Sequence, residues 1–106
     1  MAKGDSFFSR GLGLREKRRE KLQEPDMYRV VLHNDDYTTR EFVVSVIMAV
    51  FHKTASDATR IMLDVHRKGR GTVGVYVYDI AETKARRVKE LAAAQEFPLK
   101  CTVEKD

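Results

Sequence analysis

The run Met27-Tyr28-Arg29-Val30-Val31-Leu32-His33 is followed closely by apolar residues at 42, 43, 46, 47, 50 and 51. The first run is apolar and β-branched, as in a strand. The second repeats at i, i+3, i+4, the period of a helix with one broad buried stripe. A chain that changes period in this way has to lay a sheet against helices. Asn34-Asp35-Asp36-Tyr37 breaks the strand, and Thr38-Thr39-Arg40-Glu41 reads as a capping box in which Thr38 caps and Glu41 reaches back. His52-Lys53 falls in the last turn, where positive charge suits the helix dipole.

The alternation recurs downstream. A second helix starts near Thr54–Ser56, buries Ala58, Ile61, Met62 and Val65, and stops at the basic turn Arg67-Lys68-Gly69. Thr72–Tyr78 is a strand. Asp79, with Glu82 three residues on, reads as the N-cap of an alanine-rich helix to about Glu96. Its buried side would be Ile80, Ala81, Val88, Leu91 and Ala92. Pro98 halts it, and Leu99–Val103 alternates as a last strand. The order β-α-α-β-α-β predicts a two-layer α+β sandwich over residues 25–106, a three-stranded, mostly antiparallel sheet packed on three helices.

The 106 residues suffice for one core. Residues 1–24 stand apart, with seven basic and four acidic residues, three glycines and few large apolar groups. Such a segment cannot bury enough surface to offset its ordering entropy, so it reads as a flexible basic N-terminal extension ended by Pro25. No apolar run approaches the roughly 20 residues needed to span a bilayer. No signal peptide is visible, and a single cysteine fits a reducing cytoplasm. Cys101, on an alternating segment, reads as a small buried hydrophobe.

The polar cluster His33-Asn34-Asp35-Asp36 lies between a strand and a helix start, where loops on a rigid frame carry function. Taken alone it reads first as a turn, since Asn and Asp bond their own backbone. His66, beside the apolar stripe of the second helix, is either a structural residue or a partner of that loop. If the two meet, an amide oxygen, carboxylates and an imidazole lone pair converge beside an apolar surface. That set suits a primary ammonium. The same groups suggest metal, but no helix carries a ligand spacing, and none is expected. Gly69-Arg70-Gly71-Thr72-Val73-Gly74 has a GxGxxG spacing without a following helix, and no cofactor is expected. Glutamates interleave the basic run Arg15–Lys21, which argues for a solvated segment over a nucleic-acid contact.

Asn34-Asp35-Asp36-Tyr37-Thr38, Val65-His66 and Ala81-Glu82-Thr83-Lys84 together resemble the ClpS family, adaptors of the bacterial Clp protease that recognise N-degrons. The resemblance runs over residues 27–106. It implies a non-catalytic adaptor that binds proteins whose first residue is Leu, Phe, Tyr or Trp and delivers them to the AAA+ unfoldase ClpA for degradation by ClpP. By position, Asn34, Asp36 and His66 would hold the α-amino group, with Asp35 assisting or shaping the loop. Thr38, Arg40, Val43, Met62, Val65 and Leu99 would line the cavity for the first side chain. Asp79, Glu82 and Lys84 would dock on the unfoldase N-domain, and the extension would be gripped during handover. Many members have Pro-Met where this chain has Thr39-Arg40, and there the methionine is a gate against β-branched residues. Arg40, with a flexible stem and a charged end, is expected to loosen that discrimination. The competing class is a small basic RNA- or ribosome-associated α+β domain.

Overall fold

Val30, Val31 and Leu32 are consecutive and all buried, which requires cover on both faces and places their strand in the middle of a sheet. The computed structural model describes residues 24–106. Strand β1 (Met27–His33) is flanked by β2 (Arg70–Val77) on one side and β3 (Lys100–Lys105) on the other, in the order β2-β1-β3. Both pairings are antiparallel, so the sheet is antiparallel throughout. Helices α1 (Arg40–Phe51), α2 (Ala55–Lys68) and α3 (Tyr78–Ala94) complete the β-α-α-β-α-β order. Residues 1–23 of the expected extension lie outside the described residues. No helix among the described residues is long and apolar enough to cross a membrane.

The core lies between sheet and helices. Val30, Leu32, Val73 and Cys101 from the strands meet Val46, Ile47 and Val50 of α1, Ala58, Met62 and Val65 of α2, and Ala81, Ala85, Val88 and Ala92 of α3. Val30 pairs with Gly74 but Val31 with Thr72, leaving Val73 as the extra residue of a bulge, buried in the core. Tyr76 folds back over Gly74, where a Cβ would come within 2.5 Å of the Tyr76 hydroxyl. Val31 sits on the other face yet is buried, in a row with Thr72 and Thr102. On that face Glu104 pairs with both Arg29 and Arg70.

Four local expectations are corrected. The cap of α1 is Thr39, whose hydroxyl accepts from Phe42 N–H at 3.2 Å. Thr38 lies one residue earlier, in the loop, with its hydroxyl turned to donate to Asp35. His52 lies past the last turn as the C-cap, with φ 57°, so the chain can turn sharply into Thr54, the cap of α2. The third helix begins at Tyr78 behind Val77, which makes no side-chain cap bond, and Asp79 lies in the first turn. There its carboxylate faces the positive helix end. Ile80 is exposed and Ala85 buried, because the stripe facing the sheet is Ala81, Ala85, Val88 and Ala92. Alanine at these positions lets the helix approach closely.

Candidate functional site

The loop from Asn34 to Thr39 is held by one side chain. Asp35 Oδ1 accepts from the N–H groups of Tyr37 and Thr38 at 2.8 and 2.7 Å, and its Oδ2 accepts from the Thr38 hydroxyl at 2.8 Å. Burial works against the Asp35 ion, but these three bonds outweigh it and hold the carboxyl below its ordinary value. Asp35 thus closes the turn on itself. No described residue donates a hydrogen bond to the side chain of Asn34 or Asp36, and both residues are exposed. Two neighbouring carboxylates therefore differ, one engaged by three bonds inside the loop and one open.

The loop is fastened to the end of α2. Asn34 N–H donates to the Gly69 carbonyl at 2.8 Å. Gly69 ends α2 with φ 88°, a left-handed conformation that favours glycine, and its N–H bonds Val65 O. This fastening brings the last turn of α2, with His66, beside the loop. Between them lies a cavity of about 240 Å³. Its polar side is Asn34, Asp35, Asp36, Thr38, Arg40 and His66, and its apolar side is Val43, Met62, Val65 and Leu99. All the residues expected around the ligand line this one space. Val43, Met62, Val65 and Leu99 are buried, so the apolar wall belongs to the core itself. Gly71 packs against that wall, since a Cβ there would come within 2.9 Å of Val65 Cγ2.

Two side-chain contacts at the cavity were not legible in the sequence. His33 also lines the cavity, with its Nε2 2.8 Å from the Thr102 hydroxyl, which in turn donates to Glu104 at 3.3 Å. Burial, followed by the nearby charges of Lys100 and Arg70, lowers its pKa from 6.5, against a smaller opposing pull from Glu104. The Arg40 guanidinium lies 2.8 Å from His66 Nε2. Guanidinium only donates, so in this contact Nε2 is the acceptor. The partners are 26 residues apart, and no periodicity signals their meeting.

The residues expected to dock elsewhere sit at the opposite end of β1. Met27 pairs with Val77, immediately before α3, whereas the cavity adjoins His33. A strand of this length separates them by about 20 Å. Asp79 is exposed and Glu82 half-buried. Lys84 Nζ donates to the Val50 carbonyl at 2.8 Å and lies 5.7 and 5.3 Å from the ring centroids of Phe51 and Tyr76. Cys101 is buried in the core, and burial pushes its thiol up to about 11 against a smaller pull from Lys89. Among the described residues no three His, Cys, Asp or Glu groups gather as a metal site.

A family model described as ATP-dependent Clp protease adaptor protein ClpS matches residues 23–102. The chain belongs to the ClpS family. The ClpS adapter protein of Acetivibrio thermocellus is 61% identical over 83 residues, covering 78% of this chain and 84% of its own length. That of Syntrophus aciditrophicus is 59% identical over 85 residues, covering 80% and 79%. The match to the ClpS adapter of Maricaulis maris is 48% identical over 102 residues and covers 96% of this chain and 94% of that one. The fold is similar to Agrobacterium tumefaciens ClpS2 in a structure bound to L-phenylalaninamide, with a TM-score of 0.77 and 44% identity. That likeness covers 78% of this chain and 100% of that chain.

Proposed function

We propose that this ClpS-family chain is a non-catalytic adaptor. It binds proteins through a free α-amino group and a bulky hydrophobic first side chain, and hands them to the ClpA unfoldase for degradation by ClpP. One observation carries the reading: open acceptors on Asn34 and Asp36 stand at the mouth of a cavity walled by Val43, Met62, Val65 and Leu99. Asp36 supplies the charge for an ammonium, while the Asn34 amide oxygen and a His66 lone pair take its other protons. L-phenylalaninamide, the ligand of the Agrobacterium ClpS2 structure, carries both an α-amino group and a benzyl side chain.

The selectivity follows from desolvation. An internal residue offers one neutral amide N–H, and leaves a carboxylate without its counter-charge, at a cost of about 1–3 kcal/mol or more. Burying a Leu or Phe side chain contributes about 1.5–3 kcal/mol, which sets it apart from Ala or Gly. A charged first side chain would lose its water in the apolar cavity and be refused. Asp79 and Glu82 on the first turns of α3 form the docking face for the unfoldase, and Lys84 beside them holds the helix to Val50 O. This leaves the occupied cavity turned away from that face.

Fluorescence anisotropy with a labelled peptide beginning in Phe tests the reading, beside the same peptide N-acetylated. Acetylation removes the charge and two of the three donors and keeps the side chain. Binding of the free form alone is expected. Equal binding of both overturns the α-amino assignment.

A further inference from the structure

A neutral imidazole has one lone-pair acceptor. In His66 it is engaged by the Arg40 guanidinium. If the ring proton moved to Nε2 to free Nδ1, that nitrogen could no longer accept from Arg40. An α-amino group and Arg40 therefore compete for a single acceptor, whichever nitrogen the ligand uses. Binding of an ammonium at His66 releases the guanidinium.

The released charge finds no carboxylate that is both fully open and without a counter-charge. Among the described residues Arg40 forms no ion pair. Asp35 already accepts three bonds within the loop, which leaves it one lone pair on Oδ2. Asp36 would be neutralised by the ammonium. Glu41 is the next residue on α1, and adjacent helix positions do not face each other. With the first side chain inside the cavity and the α-amino group at Asn34, Asp36 and His66, the ligand chain leaves across the rim that Arg40 lines. The second residue follows the first by one Cα step of about 3.8 Å.

We propose that Arg40 makes this site read the second residue of its ligand, favouring an acidic side chain there and disfavouring a basic one. The inference rests on the α-amino reading of the cavity. An exposed ion pair is worth about a two- to fivefold change in affinity.

The experiment uses the full chain and free-amino peptides labelled at the far end, beginning Phe-Glu, Phe-Ala or Phe-Lys. Wild type is expected to bind them in that order, with about two- to fivefold per step. Arg40→Met should level the order, and Arg40→Lys should restore it. The preference for Phe-Glu should also shrink with added salt. An order unchanged in Arg40→Met, or no preference in wild type while free-amino peptides still bind, overturns this inference alone. N-acetylated Phe-Glu binding as tightly as its free form overturns the α-amino reading and this inference with it.

Discussion

At the His33 end of β1, Asn34 and Asp36 keep their side-chain acceptors open to a cavity. At the Met27 end, the one cation expected to face a partner, Lys84, is bound to Val50 O and lies over two rings. The cavity end repeats the contrast on a smaller scale, with Asp35 engaged by three loop bonds beside an open Asp36. A charged group with its bonds satisfied internally shapes the fold, and one left open is free to meet a ligand. Charge in the sequence does not distinguish the two.

The sharpest way to break this contrast is to remove the two aspartates separately. Asp36→Ala should weaken binding of a free-amino Phe peptide about 10- to 100-fold, the equivalent of one charged hydrogen bond at ~1.5–3 kcal/mol. Its urea midpoint should stay at the wild-type value. Asp35→Ala should lower folding stability by about 1.5–3 kcal/mol, and affinity falls with it as the loop opens. If both variants lose affinity at unchanged stability, Asp35 is a ligand group and the division fails.

Lys84→Met should cost about 1 kcal/mol in urea unfolding, through the lost bond to Val50 O and the lost ring contacts. Peptide affinity should be unchanged, because the cavity lies at the other end of the strand. An unmoved unfolding midpoint would show Lys84 free for docking and remove the contrast with the cavity end.

The smallest effect concerns His33. Its pKa is lowered from 6.5, mainly by burial and then by Lys100 and Arg70. The unfolded chain therefore binds more protons, and stability falls as the pH drops below 6.5 toward the lowered folded value. His33→Gln should flatten the stability profile between about pH 7 and about pH 5. A slope identical to wild type would assign that titration to other groups.

The element order was legible because each segment keeps one period over several turns or pleats, and Gly69 and Pro98 mark two of the ends. The choice between Thr38 and Thr39 as cap was not, because either threonine can cap. Thr38 lies in the loop, with its hydroxyl turned to Asp35. Ile80 ranks above Ala85 on any hydrophobicity scale, yet the close approach of α3 to the sheet buries the smaller residue. Around the cavity, the polar loop and the stripe of α2 could be read separately. Their meeting rests on the Asn34–Gly69 bond, and the Arg40–His66 pair on a fold that joins distant positions.

The closed ring of bonds around Asp35 has a kinetic consequence. The loop reaches its shape before any ligand arrives, so capture needs no folding of the recognition segment and loses no rate to it. The visible barrier to entry is the displacement of one exposed side chain, Arg40, on the nanosecond scale of rotamer change. Ligands that fit this cavity well and those that fit it poorly should then enter at similar speeds, and what separates them is how long each one stays.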